Sequence, residues 1–425
     1  MIRRDFIRTA ILGAPGAMAP AAGGLLQRLE AAQVTIPDIK ITGVKVHQVR
    51  QDLKEPMGYC CAPRAPLGMT STGASVIEVT TDAGLTGWGD GAWGGQVLAK
   101  NKELVIGRSP FEVEAIFDEI TELENVPFVT LPRNAPSPGG LDVALWDLAG
   151  QALGKPVAAL LGKQYRTRVM PYASAGYRKN WPDLEKGFAE ELYHWTREVG
   201  FRAAKVKTGH DPATDVRVVR AVRKAIGDDI HLGIDAGTPG AYDDGAAVML
   251  GRQLEEFNLE FWEEPINKWD LEGYARLKSV LRIPLASGEA LPIDWVIDNY
   301  VNKHLIDIAQ PDISTAGFTG GKRVTYACHI NRVRLMPHSW GTPIRIASEM
   351  HWVATIPPLS RAWNPPPQLF ELHLPHESPV WGLTTKRIEV DNSDGQIAVP
   401  AGPGLGIEIN RDELERHRTG LVEIS

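Results

Sequence analysis

The chain has 425 residues, 43% of them hydrophobic and 23% charged, which is a globular balance with length enough for two domains. Its formal net charge is -7 and it carries no block of basic residues, so a nucleic-acid partner is not expected. Three cysteines, Cys60, Cys61 and Cys328, cannot build a disulfide framework, and no Cys-x-x-Cys pair offers a cysteine-based zinc or redox site.

Residues 1–35 read as a leader and linker. Arg3 and Arg4 precede Asp5, Phe6 and Ile7, and a short run rich in Ala and Gly follows to Ala22. This resembles a twin-arginine export signal, with small-residue cleavage candidates at Ala17-Met18-Ala19 and Pro20-Ala21-Ala22. The resemblance implies the twin-arginine export machinery as a partner and a periplasmic location. Gly13, Pro15, Gly16 and Pro20 interrupt the run, so no stable membrane anchor is expected.

Residues 36–160 read as an α+β unit. Strand-like alternation spans 41–49 and 74–81, and Asp82-Ala83-Gly84 turns the chain into a third strand at 85–89. A polar loop, 51–73, is expected between the first two strands. It carries Tyr59 and Arg64, candidate substrate contacts, and the adjacent thiols Cys60 and Cys61, which read as an inert pair. Helical periodicity follows at 111–123 and 140–153.

From residue 161 to 383 short apolar strands alternate with amphipathic helices. The strands fall at 169–172, 203–207, 231–235, 260–263, 283–288, 306–310, 334–337 and 369–372. Asp211 reads as an N-cap, with Pro212 at the first helical position and Gly227 past the last turn. Eight such units argue for a (β/α)-type barrel. The tail, 384–425, reads as strand, turn, strand and short helix, packing back on the N-terminal unit.

Chemistry of such barrels gathers where strands end. The second strand ends in Lys205 and Lys207, which share one face because strand side chains alternate. Two adjacent ammonium groups repel, and a lysine pushed toward neutrality is a usable general base. The next three strands end in Asp235, Glu263 and Glu289, 28 and 26 residues apart, one β/α unit each time. Three convergent carboxylates call for a cation, and an all-oxygen set favours Mg²⁺. Asp312 and His338 end the sixth and seventh strands as neighbours, so the carboxylate can fix the imidazole and favour its protonated form. Glu371 ends the eighth strand, and Trp340, just after His338, is a candidate pocket wall.

The order Lys-x-Lys, Asp, Glu-Glu-Pro, Gly-Glu, Asp, His and a late Glu resembles the mandelate racemase subgroup of the enolase superfamily. Gly140-Leu141-Asp142-Val143-Ala144-Leu145-Trp146-Asp147, running on to Leu153-Gly154-Lys155-Pro156, is similar to that family's junction of cap and barrel. The resemblance spans residues 39 to 415 and implies a modified (β/α)7β TIM-type barrel with an N-terminal α+β capping domain. It implies Asp235, Glu263 and Glu289 as Mg²⁺ ligands and Lys207 as a base, with Lys205 as the neighbour that lowers its pKa. His338 is implied as the opposing acid or base with Asp312 behind it, and Glu371 as a hydrogen-bond donor or acceptor to the substrate carboxylate or its enolate form. The chain departs from many relatives at Gly237, where they carry Asn.

The chemistry implied is α-proton abstraction from a carboxylate, since enolase-superfamily sites pair a Lys or His base with Mg²⁺. Dehydration of a sugar acid to a 2-keto-3-deoxy acid is the expected reaction. A racemase or epimerase of a 2-hydroxy acid, a lactone cycloisomerase and a periplasmic binding protein for acidic ligands are the alternatives. The family also implies a homo-oligomer.

Overall fold

The computed structural model describes residues 24–58, 67–124, 138–237, 240–360, 366–374 and 378–425. The expected leader (1–22) and Tyr59, Cys60, Cys61 and Arg64 lie outside the described residues. The expected linker is partly ordered: Leu25–Ala31 is a helix with Leu25 buried, and Glu114 receives the Leu25 backbone N–H and pairs with Arg28. Among the described residues no helix is long and apolar enough to cross a membrane.

Three antiparallel strands begin the cap: β1 (Ile41–Met57), β2 (Met69–Thr81) and β3 (Thr86–Asp90). The first two run further than the alternation suggests. Gln51 pairs with Thr72, Asp52 with Ser71 and Met57 with Met69, so much of the expected loop is ladder. Its side chains are mostly solvated, which hides the hydrophobic period, while cross-strand bonds still satisfy the backbone.

The helix Gly139–Leu153 follows a helix at Val113–Glu124. Its side chains are buried from Gly139 to Gly150, because it lies between the cap sheet and the barrel. Gly87 and Gly89 permit that approach: a Cβ on Gly89 would sit 1.9 Å from the Gly140 carbonyl oxygen. Asp147 fastens the junction, accepting from the backbone N–H of Trp88 at 2.9 Å and of Leu405 at 2.7 Å.

Among the described residues, eight parallel strands form the barrel: β4 (Arg168–Ala175), β5 (Ala203–Lys207), β6 (His231–Asp235), β7 (Leu259–Glu263), β8 (Leu285–Ser287), β9 (Ile308–Ala309), β10 (Arg334–Leu335) and β11 (Leu369–His373). They pair in the order β10-β9-β8-β7-β6-β5-β4-β11, and the Glu371 N–H donates to the Pro337 carbonyl at 3.3 Å across the remaining gap. Four of the outer helices start in one way. Asp183, Asp211, Asp243 and Asp270 each accept, through a side-chain oxygen, the N–H three residues on. Each cap supplies an acceptor to a helix terminus that lacks one.

The barrel floor is apolar: Tyr172, Ala203, Phe261, Ala286, Ile308, Met336 and Leu369 pack together. Gly233 leaves room there, since a Cβ would meet the Phe261 ring at 2.2 Å. The charged residues stand above this floor.

The tail divides between both units. β12 (Ile397–Ala398) pairs antiparallel with β4, and Arg168 holds the adjacent turn through Asp391 and Asp394 at 3.0 and 2.8 Å. The helix Arg411–His417 then leads into β13 (Arg418–Ile424), which pairs with β1 at the edge of the cap sheet. The short helix therefore precedes the last strand, where the sequence suggested it would follow.

Candidate active site

Lys205 lies at the centre of the barrel and is fully buried. Its Nζ is 2.8 Å from Glu371, 2.9 Å from Glu263 and 3.1 Å from Asp235. Lys207, two residues nearer the mouth, reaches Asp235 Oδ2 at 2.5 Å. Strand pairing accounts for this, because Lys207 stands beside Asp235 and Asp235 beside Glu263 in the parallel register.

This geometry opposes the expected push of Lys207 toward neutrality. Burial acts that way, and Lys205 does depress Lys207, but the carboxylates of Asp235, Glu263 and Glu371 together outweigh both and raise Lys207 above the usual lysine range. Lys205 is raised as well, because Glu263 and Glu371 overcome its burial. Both are ammonium groups held by carboxylates.

Asp235 is correspondingly held low: burial would raise it, but Lys207 and Lys205 prevail. Burial and the neighbouring Asp235 charge push Glu263 up. Glu263 Oε2 takes bonds from Lys205 and from Gln310 Nε2 at 3.0 Å, while its Oε1 is buried without a partner among the described residues. Asp235 Oδ1 accepts the Gly237 N–H at 2.6 Å. Gly237, with φ 76°, thus supports Asp235 through its backbone.

Glu289 stands apart from this pair. It is at the rim, a quarter exposed, with Oε1 3.7 Å from His338 Nε2. Among the described residues no three carboxylate, imidazole or thiol groups are poised around one point to hold an ion. The expected ligand set is therefore not gathered: the ammonium of Lys205 sits between Asp235 and Glu263, neutralising what a cation would neutralise. The donors nonetheless suit Mg²⁺ by type, being hard carboxylate oxygens, and the orphaned Glu263 Oε1 is an acceptor in want of a positive partner.

Asp312 and His338 are brought together, Oδ1 to Nδ1 at 2.5 Å. Burial would lower His338, but Glu289, Asp312 and Glu371 raise it well above the usual histidine range, so the ring is an imidazolium. The Ala290 N–H donates to Asp312 Oδ2 at 2.7 Å, and Lys268 Nζ donates to the Glu289 carbonyl at 2.9 Å, so the Glu289 loop is tied on both sides. Glu371 is an ionised acceptor: burial opposes this, but Lys205 and His338 hold it well below the usual range. Ser174 Oγ donates to its Oε1 at 2.5 Å and the Ser339 N–H to its Oε2 at 3.0 Å. Of the two roles expected for Glu371, only acceptance fits this state.

Trp340 is half-buried at the mouth, edge-on to Tyr177 at 5.2 Å and against His373 at 4.0 Å between ring centroids. Lys207 Nζ lies 5.2 Å from the centre of the Tyr177 ring. An aromatic wall thus runs from Lys207 to His373. Arg345 braces it from behind, donating to the Trp340 carbonyl and reaching Asp90 of the cap at 2.7 Å.

Sequence reasoning missed Ser174, Tyr177, Gln310 and His373. Two of them were within reach: Ser174 is two residues past Tyr172, and His373 two past Glu371, on the same strand faces. Cavities of about 690 and 340 Å³ lie elsewhere, the first between cap and tail around Asp147 and Arg411, the second around Cys328 and Gln368. Neither includes the charged mouth.

The family model for the mandelate racemase / muconate lactonizing enzyme N-terminal domain matches residues 43–162, and that for the enolase C-terminal domain-like family matches 187–413. The D-galactarolactone cycloisomerase of Agrobacterium fabrum is 31% identical over 386 residues, covering 89% of this chain and 99% of that protein. The arabinonate dehydratase of Saccharolobus solfataricus is 31% identical over 281 residues, covering 66% and 71%. The crystal structure of L-talarate dehydratase from Polaromonas sp. JS666, complexed with Mg and L-glucarate, superposes with a TM-score of 0.74 at 26% identity, covering 91% of this chain and 99% of that one. These relatives are enzymes, which sets aside the binding-protein alternative. The chain belongs to the mandelate racemase subgroup of the enolase superfamily and is an enzyme of the lyase or isomerase kind.

Proposed function

We propose that the chain is a Mg²⁺-dependent sugar-acid dehydratase that forms a 2-keto-3-deoxy acid. The observation that carries this is the placement of Lys207 and the His338-Asp312 pair across the barrel from one another, with Asp235 and Glu263 between them. In this reading Lys207 gives up its proton to solvent once Asp235 is engaged elsewhere, and as the free amine it takes the α-proton, while the C–H electron pair moves into the substrate carboxylate as an enediolate. His338, as the imidazolium, gives its proton to the β-hydroxyl. The β C–O bond breaks, water leaves, and the resulting enol becomes the keto acid. Asp312 holds His338 in place, and Lys205 stabilises negative charge near Glu371 and Glu263. Bound Mg²⁺, held by Asp235, Glu263 and Glu289, would supply charge stabilisation to the carboxylate.

A second reading has a specific support: the cycloisomerase relative matches nearly the whole chain. Incubation with Mg²⁺ and pooled sugar acids and lactones in D₂O, followed by NMR, separates them. Loss of the α-proton signal with a new 2-keto acid supports the dehydratase. Deuterium incorporation with ring opening of a lactone supports the cycloisomerase, and exchange alone supports a racemase or epimerase. We further propose export by the twin-arginine route, on the residues Arg3 and Arg4, and a homo-oligomeric enzyme; cell fractionation and sedimentation test these.

A further inference from the structure

We propose that His373 is a specificity-determining residue whose Nε2 accepts a hydrogen bond from a hydroxyl group of the substrate. The inference rests on the reading of the mouth as a sugar-acid site and adds to it which substrate group is selected, and how.

His373 ends β11, two residues beyond Glu371, and so faces the lumen one step nearer the mouth. It is 1% exposed. Its Nδ1 lies 2.6 Å from the Ser339 carbonyl oxygen. A carbonyl only accepts, so Nδ1 carries the proton and Nε2 presents a bare lone pair. That Nε2 is buried and has no partner among the described residues.

Burial pushes the His373 imidazole down to about 3, against the opposing pull of Glu371, while His338 and Lys207 reinforce the neutral state. The ring therefore stays a neutral acceptor although Glu371 is two residues away. An acceptor left unpaired in a buried site is costly. What satisfies it is an O–H or N–H donor. A second carboxylate or a ring ether oxygen cannot donate and would face the lone pair unfavourably. The site thus prefers a substrate with a free hydroxyl here over one with a distal carboxylate. Trp340, half-buried at the mouth, lies against the His373 ring, which places Nε2 beside the pocket wall.

The test uses the full chain with D-gluconate, D-galactonate and arabinonate, their singly deoxygenated analogues, and L-glucarate as a diacid. In protein labelled with ¹⁵N-histidine, the Nε2 signal absent from the His373→Phe spectrum identifies the residue. We expect a hydroxylated mono-acid to move that signal upfield. We also expect one deoxy position to lower kcat/KM by about 10- to 100-fold, the worth of one buried hydrogen bond, and His373→Phe to erase that particular penalty while leaving the others. An acid that binds or turns over without moving the signal, with deoxy penalties the same in both proteins, overturns the inference and leaves the dehydratase reading intact. If His373→Phe fails to fold, His373→Asn supplies the assignment, and the shift in the unaltered protein then decides. A protein that neither binds nor converts any of these acids overturns both.

Discussion

Lys207 Nζ lies 2.5 Å from Asp235 Oδ2, so the group read as the base is held in its protonated form by a group read as a metal ligand. The attraction is strong because both are buried. Whatever engages the charge of Asp235 elsewhere loosens the proton on Lys207, and the two roles are thereby linked through one oxygen atom.

Replacing Lys207 by Ala should lower kcat by about 10²–10⁴-fold, the usual weight of a proton-transfer group. Deuterium exchange at the α-carbon should fall equally. Full activity in this variant, with the protein folded by circular dichroism, would end the mechanism.

His338→Asn should separate the two half-reactions. Lys207 is untouched, so α-proton exchange in D₂O should persist, while keto-acid formation drops by about 10²-fold or more. Exchange and product lost in equal measure would place His338 in the first step instead.

Calorimetric titration with Mg²⁺ should show binding that is weakened at least about 10-fold in Glu263→Gln, given that even outer partners of a metal site cost 10–100-fold. Chelation of the wild-type protein should abolish turnover and added Mg²⁺ restore it. Equal affinity in both proteins would remove Glu263 from the ligand set.

Gly89→Ala should destabilise the protein by about 1–3 kcal/mol or more, as overpacking does, because the new methyl would collide with the Gly140 carbonyl. The collision is with backbone, which cannot swing aside. Thermal unfolding measures it, and an unchanged Tm would mean that the cap sheet rides further from its helix.

Burial lifts Asp142 to about 7, against the hydrogen bonds from Thr319 and Phe318. The folded state thus keeps a proton that the unfolded chain has lost above about pH 4. This contribution to stability is present at low pH and declines as pH rises from about 4 to about 7. The Tm difference between wild type and Asp142→Asn, scanned over pH 4 to 8, should therefore change within that window. A difference flat across it would show that Asp142 titrates normally.

The barrel strands were legible because short apolar runs bounded by turn signals recur once per unit, and Asp211 and Pro212 marked one helix start. The long β1–β2 hairpin was not, since a ladder can continue where both faces are solvated and no hydrophobic period remains. Asp235, Glu263, Glu289, Asp312, His338 and Glu371 were legible as strand-end residues, because a parallel barrel turns spacing along the chain into neighbours on a rim.

Charge states were decided only by the tertiary structure. Adjacent lysines read alone repel and move toward neutrality, yet in the barrel each faces carboxylates from other strands that reverse the direction. His373 was invisible for a related reason: nothing near it in sequence reveals that Ser339 fixes its tautomer and leaves Nε2 without a partner. By itself the sequence determined the order of strands and the chemical types at their ends, because periodicity and capping act over a few residues. Distances, protonation and the orphaned acceptors depend on groups far apart in the chain, and only folding brings them within reach of one another.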